Sequence, residues 1–202
     1  MSKHLAIASV LAIGLTVLLS IILWRISRIS GPGSKITTVY LCGDAHSGKT
    51  KLYYSLISPT ESPASFDTVK TVDGAIYTGC IDSLPGRLLR LCDIPSDQRC
   101  CSSEALASPP AIIVYIATKG CDSANIVTLM ETHQSTLKLL LILAMGIAGH
   151  EVLSHVSSLI STNQNIDPED VAIPASLQVA EVSTMNELPS TVIEAMRKIL
   201  CK

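Results

Sequence analysis

From position 5 to position 24 the chain reads LAIASVLAIGLTVLLSIILW, without one charged side chain. A helix of roughly 20 such residues rises about 1.5 Å per residue and matches a hydrocarbon core of ~30 Å. A helix buried in a soluble core is seldom apolar on every face for so long. A cleaved leader has a shorter apolar run and ends in small residues, whereas this run ends in Trp24-Arg25. The pattern therefore predicts a membrane-spanning helix over 5–24, with Trp24 at the interface. Arg25, Arg28 and Lys35 follow it, against Lys3 and His4 before it, which favours a cytosolic C-terminal side.

After a Gly, Pro and Ser-containing linker over 25–35, the pattern changes. ITTVYLC (36–42) is rich in β-branched residues and predicts a strand, and KLYYSLIS (51–58) a helix. GAIYTGCID (74–82) and GRLLRLCDI (86–94) predict a strand pair turning at SLPG. AIIVYIAT (111–118) and LKLLLILAM (137–145) are nearly continuous apolar runs, as strands become when both faces are covered. Helical spacing returns over 121–134 and 149–161, with loops at 59–69 and 162–170 and a loop entering a short helix over 96–108. A last strand is expected over 176–183 and a terminal helix over 187–200, with Pro189 in its first turn. Strands alternating with helices predict an α/β domain over 36–202, with a mostly parallel central sheet between two helical layers.

Composition narrows the partners. The 202 residues carry a formal net charge of -2 and only 3% aromatics. Nucleic acid is thus not expected as a direct partner, because it calls for a basic excess or aromatic stacking platforms. The mean hydropathy of +0.42 owes much to the apolar segment. The 7 cysteines (Cys42, Cys80, Cys92, Cys100, Cys101, Cys121 and Cys201) form no C-x-x-C pair. Reduced thiols in a cytosolic domain are the expected reading. Ser2 and the terminal ILCK give no myristoylation or prenylation signal, so the helix alone would anchor the chain.

The chemistry begins at GDAHSGKT, residues 43–50, which fits G-x-x-x-x-G-K-[ST]. Such a loop between a strand and a helix wraps backbone N–H groups around a phosphate, and the helix dipole adds to the attraction. Gly43, Asp44, Ala45, His46, Ser47, Gly48, Lys49 and Thr50 form the candidate phosphate site. Lys49 is expected on the β- and γ-phosphates and the Thr50 hydroxyl on Mg²⁺. Asp93, at the end of an apolar strand, stands where a carboxylate completing the Mg²⁺ sphere through water belongs. A turn or capping aspartate is the plain alternative there. His133, His150 and His155 lack a third ligand nearby in the pattern, so they read as ordinary helix residues.

With the loop and Asp93 in place, the order of parts resembles the Ras-like small GTPases, and most of all the β subunits of the signal recognition particle receptor. That family has one N-terminal transmembrane helix followed by a GTPase domain similar to Arf and Sar proteins. The resemblance implies the P-loop NTPase three-layer fold, with GTP and Mg²⁺ as ligands. It also implies a heterodimer with the receptor α subunit and a single-pass place in the endoplasmic reticulum membrane, the domain facing the cytosol. It makes Pro59-Thr60 the first switch, with Thr60 on Mg²⁺, and Asp93-Ile94-Pro95-Ser96 the family's D-x-P-G, with Ser96 at the γ-phosphate. Ser183, Thr184 and Met185 stand where the family has S-A-K, a main-chain contact to the base.

The departures are as informative. Asp97 stands where Arf-like enzymes carry the glutamine that orients water, and Gln98 falls one place late. The guanine-reading N-K-x-D should follow the strand near 143, but the chain gives AMGIAGHE. Glu151 is the one carboxylate close by. Three readings stay open: a GTP-switched receptor β subunit with slow hydrolysis, a pseudo-GTPase membrane scaffold, and an unrelated membrane-anchored P-loop ATPase or kinase.

Overall fold

A computed structural model of the chain describes residues 20, 36–58, 74–96, 108–164, 167 and 171–200. The chain divides into two units, Met1–Lys35 and Ile36–Lys202. Of the first, only Ser20 is described, so the linker and all of the expected anchor but that residue lie outside the described residues. Among the described residues no helix is long and apolar enough to cross a membrane.

The second unit alternates strands and helices. In chain order they are β1 (Thr37–Gly43), α1 (Lys49–Ile57), β2 (Ala75–Gly79), β3 (Leu89–Asp93), β4 (Ile112–Ala117), α2 (Ser123–His133), β5 (Leu139–Met145), α3 (Gly149–Gln164), β6 (Leu177–Val182) and α4 (Leu188–Leu200). The six strands form one sheet in the order β2-β3-β1-β4-β5-β6. β2 pairs antiparallel with β3, and every other neighbouring pair is parallel. The one antiparallel pair is the one a tight turn can make, because parallel neighbours need a long crossover. In that turn the Leu84 N–H donates to Ile81 O at 2.9 Å.

Side-chain alternation along the strands makes two cores. Val39 and Leu41 of β1 point to one side, where Leu52 and Leu56 of α1 and Val192 and Met196 of α4 meet them. Tyr40 and Cys42 point to the other, against Ile126 of α2 and Val152 and Val156 of α3. Every residue of β4 is buried, which accounts for its unbroken apolar run. α4 buries Leu188, Val192, Ala195, Met196 and Leu200, one stripe at helical spacing. Its end is tied to the β2–β3 connection: Arg87 donates to Leu200 O, and Arg197 donates to Ser83 O at 3.0 Å.

The structure trims the expected strand pair to Ala75–Gly79 and Leu89–Asp93 and moves two helix boundaries. α1 begins at Lys49, so the last two residues of the phosphate-loop motif lie on the helix. α3 runs on to Gln164, through residues that read as loop. In this last stretch the exposed Thr162 hydroxyl donates to Ser158 O at 2.8 Å, one helical turn back.

Candidate nucleotide-binding site

β1 lies between β3 and β4 in the sheet, so the chain leaves its C-terminal end where the strand order reverses direction. In open α/β sheets ligands bind in the crevice at such a point. The 43–50 loop occupies it. Gly43 pairs with Ile116 of β4 and has φ +142°; a Cβ there would stand 2.6 Å from Ile116 O. No other residue fits that approach, which is the physical content of the motif's first glycine. Gly48, with φ +92°, turns the chain into α1. Ala45 and His46 face solvent, and His46 takes φ 61°, a conformation uncommon outside glycine.

The site's charged groups lie inside this turn. Lys49 is buried, and its Nζ donates to Gly43 O at 2.8 Å and Asp44 O at 2.7 Å. Register brings in its acidic counterpart: Asp93, the last residue of β3, pairs with Leu41 of β1. The Ile94 N–H continues the ladder to Leu41 O at 3.0 Å. Asp93 is 0% exposed, and its Oδ2 accepts the Thr50 hydroxyl at 2.7 Å. Burial pushes the Asp93 carboxyl above the usual carboxylate range, against the Thr50 hydrogen bond and the Lys49 charge. Burial likewise lowers the Lys49 ammonium, and Asp93 opposes the shift. Two oxygens here are buried without a hydrogen-bond partner, Asp93 Oδ1 and Ser47 Oγ. Unpartnered buried oxygen is uncommon and calls for a ligand, a water or an ion.

A cavity of about 340 Å³ opens beside the loop, walled by Gly43, Asp44, Ser96, Tyr115, Asn125 and Thr128 among others. Tyr115 donates to Asp44 Oδ1 at 3.3 Å, so Asp44 is turned into the cavity wall. Burial and the Asp44 charge raise the Tyr115 phenol well above its ordinary range. Ser96 is exposed at the cavity's edge, while Thr60, the other expected Mg²⁺ ligand, lies outside the described residues.

The base end is built of different material. β5 ends at Met145, and Gly146 turns the chain with φ 65°. Glu151 sits exposed in the first turn of α3. A carboxylate outside any motif also stands here: Glu181 Oε1 of β6 accepts the Gly149 N–H at 2.7 Å, at the start of α3. Of the three residues expected at the base, Ser183 and Thr184 are exposed, and the Ser183 N–H donates to Glu187 Oε2 at 3.1 Å. Met185 turns inward and packs against the core on the α1 and α4 side. The end of its side chain lies on Gly48, where an added Cβ would overlap its Cε and stand 2.9 Å from its Sδ. No periodicity or motif announces that contact.

No protein-family model and no curated protein matches the sequence. The fold does have solved counterparts. One is a chain of the structure described as "The Structure of the Mammalian SRP Receptor", at 15% identity and a TM-score of 0.55. The likeness covers 78% of this chain and 98% of that one. The chain therefore has the α/β fold of a component of the mammalian signal recognition particle receptor, as the order of its motifs led one to expect.

Proposed function

We propose that the chain is a GTP-binding β subunit of a signal recognition particle receptor. It would anchor the larger α subunit at the endoplasmic reticulum membrane for co-translational protein targeting. The observation that carries the nucleotide part is the pairing of Thr50 with Asp93 at 2.7 Å, next to a lysine wrapped in the loop's own carbonyls. The membrane part rests on the apolar run over 5–24, and the partner on the family resemblance.

The donor set fits Mg²⁺: a hydroxyl and a carboxylate, hard oxygens, with one carboxylate oxygen buried and unpartnered. Thr50 and Asp93 would hold the ion, which when bound neutralises charge on the terminal phosphates. The backbone N–H groups between Gly43 and Thr50 bind and orient the phosphates, and Lys49 supplies their counter-charge. Hydrolysis is slow in this reading, because Asp97 replaces the water-orienting glutamine. The nucleotide acts as a switch: its γ-phosphate orders neighbouring loops, and the α subunit reads them.

Two observations favour a second reading, a pseudo-GTPase scaffold that holds its partner without nucleotide. The base end lacks N-K-x-D, and Met185 covers Gly48. Binding of GTP, GDP and ATP to the whole chain in detergent, with and without Mg²⁺, decides between them. Mg²⁺-dependent guanine-nucleotide binding lost in Lys49→Ala is the expected result. No binding in either protein would leave the scaffold.

A further inference from the structure

Gly48 is the residue from which α1 starts, and its φ is left-handed, so the phosphate loop runs directly into the helix N-terminus. A helix start of this kind is a place for an anion. In this chain an apolar group lies on it. The Met185 methyl and sulfur cover Gly48 so closely that no side chain could be added there without moving them. Met185 reaches Gly48 from the connection between β6 and α4, about 137 positions further along the chain. It is half-buried and belongs to the rim of the α1 and α4 core, with Met145 at the end of β5 beside the same cluster. Two thioethers thus stand at the strand ends where the family pattern has the polar N-K-x-D and S-A-K residues.

We propose that Met185 is a plug of the nucleotide site. With the site free, its methyl seals the Gly48 end of the phosphate loop. A nucleoside polyphosphate enters only by displacing it, so Met185 sets how weakly the chain holds nucleotide. The flexible, unbranched side chain suits this, because it can swing aside without moving the backbone. The inference rests on the reading that the loop takes a nucleotide, and it adds a residue that controls affinity rather than one that contacts phosphate.

The test uses the whole chain in detergent with Mg²⁺, titrated with GDP and with GTP. Met185→Ala is expected to bind both about tenfold more tightly than wild type, the ratio for giving up one or two buried methyl-sized groups. Met185→Leu, which keeps the bulk, is expected to stay close to wild type. With ¹³C-methyl methionine, a cross-peak between the Met185 methyl and the Gly48 α-protons is expected without nucleotide and lost with it. If wild type binds through Lys49 and Met185→Ala binds equally or more weakly, the plug is overturned while the nucleotide reading stands; weaker binding would make Met185 a platform under the base. If no variant binds, the nucleotide reading fails and the plug falls with it.

Discussion

The Thr50 hydroxyl donates to Asp93 Oδ2 at 2.7 Å across 43 positions of sequence. One group lies in the first turn of a helix, half-buried, and the other ends a strand, fully buried. The pair joins the phosphate-loop helix to β3, the strand that leads to Ser96. Thr50→Ala and Asp93→Ala are each expected to weaken Mg²⁺-dependent nucleotide binding by about 10–100-fold, as a disturbed metal environment does. Titration with and without Mg²⁺ checks this, and an effect that persists without Mg²⁺ would rule out a metal role.

Gly43 faces the backbone of Ile116 too closely for a side chain. Gly43→Ala is therefore expected to destabilise the fold by about 1–3 kcal/mol through backbone strain and crowding. Urea unfolding with nucleotide absent measures it. An unchanged midpoint would mean that β1 and β4 can part at their ends without loss.

The Asp93 carboxyl is raised, so its linkage runs opposite to that of a salt-bridged acid. Below the ordinary carboxylate value, near 4, both folded and unfolded chains hold the proton. As pH rises from there, the unfolded chain releases it first, and the fold loses stability until the raised value is passed. Lys49, lowered by burial, works in the alkaline range: the fold gains stability as pH climbs from its folded value to the ordinary lysine value. Asp93→Asn should flatten the acid-side slope of the urea midpoint without Mg²⁺ or nucleotide. A slope identical to wild type would assign it to other groups.

Ile113 of β4 is fully buried in the core on the α2 and α3 side. Ile113→Ala is expected to lower stability by about 2–5 kcal/mol. The loop lies at the end of the neighbouring strand, so nucleotide affinity measured well below the unfolding midpoint should stay near wild type. A large loss of affinity in the folded variant would show that the site depends on the packing of that face.

Much of this molecule was legible in the chain. The apolar runs of β4 and β5 and the β-branched start of β1 marked strands, because a covered sheet leaves no position for a polar side chain. GDAHSGKT marked the site, because backbone N–H groups around a phosphate need glycine at fixed places and a lysine beside them. Asp93 could be chosen from its place at a strand end. The motif also carried the fold, since strand, loop and helix come as one unit.

The tertiary structure decided what the chain does not encode locally. Which strands neighbour β1, and so whether Asp93 meets Thr50, depends on crossovers that pair residues dozens of positions apart. The same holds for the Met185 contact with Gly48 and for the Gly149 N–H on Glu181. These contacts have no sequence period, because they arise where separate elements end on one edge of the sheet. A motif can announce the phosphates it binds through its own backbone. What stands opposite that backbone is set only when the sheet closes around it.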